Sequence, residues 1–189
     1  MRNKLLLVGV ALAGVTLVSA PAEASVKVIG GGFGHQCYEY ARAGHASDSG
    51  VDACNHALEE QTLSPEDRAA TLVNRGILQM YAKQLDLALE SYESAIRLNP
   101  NFAEAYVNKG VALVNLGRDR EAIAAASQAL ELKTERPEIA YYTRGVAHEM
   151  LGNMRAAYRD YRQASELKPE WQEPLTQLQR FSVLPKARG

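Results

Sequence analysis

Between Leu85 and Ile96 the apolar residues Leu85, Ala88, Leu89, Tyr92, Ala95 and Ile96 fall at steps of three and four. That spacing marks one face of an α-helix. The preceding segment, Ala70 to Ala82, has the same period, so together they predict two helices joined by a tight turn at Lys83. The pair then recurs. "LVNRGILQM" from Leu72, "YVNKGVALV" from Tyr106 and "YYTRGVAHE" from Tyr141 place Gly76, Gly110 and Gly145 at intervals of 34 and then 35 residues. Ala88, Ala122 and Ala157 keep the same step, as do Ala95, Ala129 and Ala164. Gly117 and Gly152 mark the second and third turns, and Pro100 and Pro169 close the first and third units. The middle unit is one residue longer, with Thr134 in place of that proline, and its turn ends at Pro137.

A glycine inside a helix costs about 1 kcal/mol relative to alanine, so three at one phase imply a shared cause. Paired with Ala88, Ala122 and Ala157, Gly76, Gly110 and Gly145 predict close approach of two helix backbones. On these residues the chain resembles the tetratricopeptide repeat family, with its 34-residue period, alanine-then-aromatic spacing and closing proline. Ala88 to Tyr92 and Ala157 to Tyr161 keep that spacing, whereas Ala126 replaces the aromatic in the second unit. Arg75, Lys109 and Arg144 replace the leucine that precedes the glycine in the family pattern. The resemblance implies an all-α fold, an α-solenoid with three full repeats at 69–102, 103–137 and 138–171.

Solenoids expose an apolar face at each end, so the terminal units become caps. "GVDACNHALEE" from Gly50 reads as the second helix of a degenerate first repeat, 37–68, whose first helix is short, about Cys37 to Ala43. "EPLTQLQRF" predicts a capping helix over 172–182, joined by Trp171, and a frayed tail at 183–189.

At the other end, Arg2 and Lys4 precede 14 uncharged residues from Leu5 to Val18, followed by small residues at Ala22 and Ala24. That order predicts an export signal, 1–24, cleaved after Ala24. The alternative, a retained anchor, is short of the roughly 20 apolar residues that a span needs. The destination implied is a bacterial periplasm or the exterior. Cleavage removes Arg2, Lys4 and Glu23 and moves the net charge from −1 to −2. A chain without positive excess is a poor match for nucleic acid or an anionic membrane surface. "VKVIGGGFG" at Val26 to Gly34 has the outline of a dinucleotide-binding turn, but such a turn needs a parallel sheet. No strand follows Ala41, so 25–36 reads as a flexible glycine-rich leader.

Candidate chemistry is sparse. Cys37 and Cys54 form an even count in a chain bound for an oxidising compartment, which favours a disulfide over two buried thiols. His45, Asp48, Asp52 and His56 are the one concentration of metal-ligand types, without zinc spacing, and read as a polar turn and a solvated face. His148 reads as a packing histidine, and no nucleophile arrives with a base. The expectations are therefore no enzyme, no cofactor and no metal.

The resemblance also implies that the first helices line a concave groove for an extended peptide or a partner's helix. The matching positions are Val73, Asn74, Ile77 and Tyr81; Val107, Asn108, Val111 and Asn115; and Tyr142, Thr143, Val146 and Met150. None is charged, which disfavours a basic clamp for acidic tails and favours a neutral or apolar protein segment. Asn74 and Asn108 carry amides able to bind a peptide backbone. The functional expectation is an exported adaptor or scaffold. The alternatives are an accessory subunit of a cell-envelope complex using another surface, and a metal-binding or catalytic protein using the histidine–aspartate cluster.

Overall fold

The structure, a computed structural model, describes residues 6–9, 25–28 and 31–184. Most of the segment read as an export signal, and 185–189 of the tail, lie outside the described residues. Among the described residues nine helices run in order: α1 Phe33–Ala43, α2 Asp48–Glu60, α3 Pro65–Tyr81, α4 Leu85–Leu98, α5 Ala103–Asn115, α6 Asp119–Glu131, α7 Pro137–Met150, α8 Met154–Leu167 and α9 Gln172–Gln179. Strand β1, Leu6–Gly9, pairs antiparallel with β2, Phe181–Leu184, in the register Leu6 with Leu184 and Gly9 with Phe181. The helices pack in consecutive antiparallel pairs, α3 with α4, α5 with α6 and α7 with α8, as an α-solenoid.

Local chemistry sets the ends of these helices. Ser64 Oγ accepts the Asp67 N–H at 3.0 Å while Pro65 fills the first helical position, which needs no donor. Ser47 caps α2 in the same way, through the Gly50 N–H at 3.0 Å. Gly117 and Gly152 turn the chain with left-handed φ values of 70° and 75°. Lys83 adopts φ 61° at the equivalent place in the first unit, where a Cβ is strained. Pro137 is the first residue of α7, where the pattern predicts the end of the middle unit.

The repeated glycines have a more specific cause than the meeting of two backbones. A Cβ on Gly76 would overlap the ring of buried Tyr92, and one on Gly145 would lie 2.9 Å from the Tyr161 ring. Each glycine makes room for the aromatic of its own second helix. Gly110 faces Ala126 instead, and its nearest neighbour is Thr143 Cγ2 of α7 at 3.4 Å, with Ala122 O at 3.6 Å. The three positions should therefore respond differently to one methyl group. Gly110→Ala is expected to stabilise by about 1 kcal/mol through helix propensity. Gly76→Ala is expected to lose a net of about 1 kcal/mol, because overpacking outweighs that gain. Urea unfolding of the two variants separates them, and shifts of the same sign would contradict the assignment.

Both ends differ from expectation. Helix α1 begins at Phe33 and is three turns long, because Gly32, at φ 77°, turns the chain into it ahead of Cys37. Cys37 and Cys54 form a disulfide with Cα atoms 4.8 Å apart, joining α1 to α2. The segment read as a flexible leader is anchored: Val28 is 2% exposed and Val26 packs on the core. At the C-terminus α9 stops at Gln179, short of 182, and Phe181 to Leu184 is β2 instead of fraying. The cause is Phe181, which is buried edge-on against Tyr158 and Tyr161 at 5.7 and 6.1 Å.

Candidate functional site

The twelve inner positions form four rows along the solenoid: Val73, Val107 and Tyr142; Asn74, Asn108 and Thr143; Ile77, Val111 and Val146; Tyr81, Asn115 and Met150. The structure does not present them as one open groove. The first two rows are buried, and so are Ile77 and Val111. Val146, Tyr81 and Asn115 are half-buried, and only Met150, at 54%, is exposed. Thr143 turns towards Gly110 of α5 and belongs to the helix stack. Tyr142 lies 4.8 Å from Trp171 and 5.6 Å from Tyr161, under the C-terminal cap. Burial raises its hydroxyl pKa.

Asn74 does what an amide in a peptide site does. Its Oδ1 accepts the Val26 N–H at 2.8 Å and its Nδ2 donates to the Val26 carbonyl at 2.6 Å. One buried side chain thus satisfies both backbone groups of one residue, as a neighbouring strand would. Asn108 and Asn115 donate to their own helix, at Glu104 O (2.9 Å) and Val111 O (3.1 Å). The sequence reading assigned the Asn74 amide to the backbone of a partner; in the structure it is bonded to the backbone of this chain's own Val26. The available signal was the alternation of two β-branched residues, Val26 and Val28, about exposed Lys27.

The cations before each glycine point away from these rows and stitch second helices together. Arg75 donates to Ser91 Oγ at 3.0 Å and to Asn55 Oδ1 at 3.1 Å. Arg144 pairs with Asp160 through Nε (2.8 Å) and Nη2 (2.9 Å), and donates to Ser127 at 3.2 Å. In the second unit Ala125 stands where Ser91 and Asp160 do, so Lys109 reaches back to Glu93 at 2.9 Å. A cleft of about 330 Å³ opens beside it, lined by Tyr106, Lys109, Glu121, Ala124, Ala125 and Gln128. Its cation, Lys109, is already engaged by Glu93, and its carboxylate, Glu121, pairs with Arg118.

The N-terminal cluster is dispersed. His45 Nδ1 lies 3.2 Å from Ala43 O, while His56 pairs with Glu60 at 2.9 Å and stacks on Phe33. Asp48 and Asp52 are exposed. Among the described residues no group of three His, Cys, Asp or Glu is placed to hold a metal ion. No helix among them is long and apolar enough to cross a membrane.

His148 is half-buried, with a buried Nδ1 that has no partner among the described residues. Burial is the main cause that lowers its pKa, with Arg144 and Arg159 adding to it against Asp160. Its folded pKa is thus below the ordinary value of about 6.5. The stability that depends on neutral His148 is complete above that pH and is lost as pH falls. His148→Gln is expected to flatten the decline in Tm below about pH 6.5, and an unchanged profile would contradict this.

Models of the tetratricopeptide repeat match residues 80–117, and residues 103–136 and 139–170. Curated protein sequences give no match. Among solved structures, the Arabidopsis OM64 TPR domain is 26% identical, with 62% of this chain and 96% of that one covered and a TM-score of 0.59. MamA is 23% identical, covering 79% and 82% of the two chains, with a TM-score of 0.64. The first TPR of Spaghetti (RPAP3), bound to the HSP90 peptide SRMEEVD, is 23% identical and covers 61% and 90%, with a TM-score of 0.58. Residues 80–136 and 139–170 thus match tetratricopeptide repeats, and the fold is an α-solenoid like that of TPR domains.

Proposed function

We propose that this chain of tetratricopeptide repeats is an exported adaptor or scaffold that binds a neutral or apolar protein segment on the inner face of its first helices. The observation that carries the reading is the reciprocal pair of hydrogen bonds in which buried Asn74 accepts from the N–H and donates to the carbonyl of one extended residue, Val26. A side-chain amide that grips both backbone groups recognises a main chain whatever its side chains. Neighbours of the same fold are described with bound peptides, from HSP90 and HSP70. Those peptides, SRMEEVD and SGPTIEEVD, are acidic, whereas the inner rows here hold no cation. A neutral segment suits such a surface better. No reaction is assigned to the chain: it is proposed as a binding protein.

Two measurements examine the parts separately. Expression in a bacterial host with N-terminal sequencing of the exported chain is expected to give Ser25 first, and a chain that keeps Met1 would overturn export. Photocrosslinkers at Met150 and at Leu98, both exposed, compare the inner face with a second-helix surface. The partner is expected to crosslink at Met150 and to be lost with Asn74→Ala and Asn108→Ala together. Capture at Leu98 alone, unaffected by those substitutions, would move binding to another face.

A further inference from the structure

The grip of Asn74 has an occupant, and the occupant belongs to this chain. Val26 is held through both its N–H and its carbonyl, 48 residues away in sequence from Asn74. Two residues on, Val28 is 2% exposed, and Lys27 between them is exposed. That is the alternation of an extended strand, with the two valines turned to the protein and the lysine to solvent. The seat of Val28 is built by small and polar groups of the first repeat. A Cβ on Gly34 would come 3.1 Å from Val28 Cγ1 and 3.6 Å from Leu63 Cδ2. Gln61 Oε1 accepts the Gly34 N–H at 2.8 Å and fixes that corner.

We propose that Ser25–Val28 is a built-in ligand of the inner face, and that the site at Asn74 selects extended segments with apolar side chains on alternate residues. The proposal rests on the inner-face reading above and adds what the site reads and why it is filled. Backbone hydrogen bonds fix the register, and the two valine seats set the preference, as in the addition of a strand to a sheet edge. A partner segment of this pattern has to displace Ser25–Val28. A short tether gives the resident segment an effective concentration in the millimolar range, so weak ligands are excluded and strong ones are admitted.

The experiment uses the full chain and a synthetic peptide, acetyl-SVKVIG-amide, which copies residues 25–30. Its binding is followed by isothermal titration calorimetry in every variant, and by NMR at the side-chain amide wherever Asn74 is present. Val26→Pro with Val28→Asp removes one hydrogen bond and the buried valine, which vacates the site. The peptide is expected to bind this variant at least tenfold more tightly than the unaltered chain, and Asn74→Ala added to the variant is expected to abolish the gain. A peptide with Val26→Pro and Val28→Asp should not bind either chain. Equal affinity for the vacated and unaltered chains, or a gain that survives Asn74→Ala, overturns the proposal. If the variant loses its helical circular dichroism, hydrogen exchange on the unaltered chain decides: the Val26 amide is expected to exchange at least tenfold more slowly than in the free peptide, and equal rates overturn the proposal. None of these readings needs a partner, so they can succeed even where the crosslinking above finds a different binding face.

Discussion

Reduction of the Cys37–Cys54 bridge is expected to cost the N-terminal repeat about 3 kcal/mol, the chain-entropy value for a loop of this size. The bridge spans 17 residues and both sulfurs are buried between α1 and α2. A solenoid is stabilised by contacts between neighbours, and an end repeat has a neighbour on one side only. The loss should therefore be local. Hydrogen exchange after mild reduction, or in Cys37→Ser with Cys54→Ser, is expected to show α1 and α2 opening while α5 to α8 keep their protection. Uniform protection before and after would mean that α1 and α2 stand without the bridge. Because α1 and the Gln61 corner also seat Val28, the reduced chain should release Ser25–Val28 as well.

Arg144→Leu restores the leucine that the repeat pattern has before glycine, yet it is expected to destabilise by about 3 kcal/mol, as removal of one partner from a buried ion pair does. Asp160 is 6% exposed, and Arg144 supplies it with two hydrogen bonds. The same hydrogen bonds to Asp160 raise the Arg144 pKa against its burial. Adding Asp160→Ala copies the second unit, where Ala125 occupies that place, and is expected to recover most of the loss. Chemical unfolding of the two single variants and the double variant closes the cycle. A single Arg144→Leu within about 0.5 kcal/mol of the parent, the range of ordinary surface substitutions, would show the pair to be of little consequence.

The amino-acid sequence by itself determined the helix pairs, their period and the order of the repeats. Those properties follow from spacing along one chain: apolar residues at steps of three and four bury one face, and turn residues interrupt them at fixed intervals. The phase of Asn74 on α3 was legible for the same reason, since it is local; which backbone its amide would meet was not. What Gly76 makes room for was not legible, because Tyr92 comes 16 residues later on another helix. The covering of Tyr142 by Trp171 and the anchoring of Phe181 were likewise settled by packing across helices. Tertiary structure alone decided that Val26 meets Asn74, because a short extended segment has no period of its own and takes its place only from the surface that receives it.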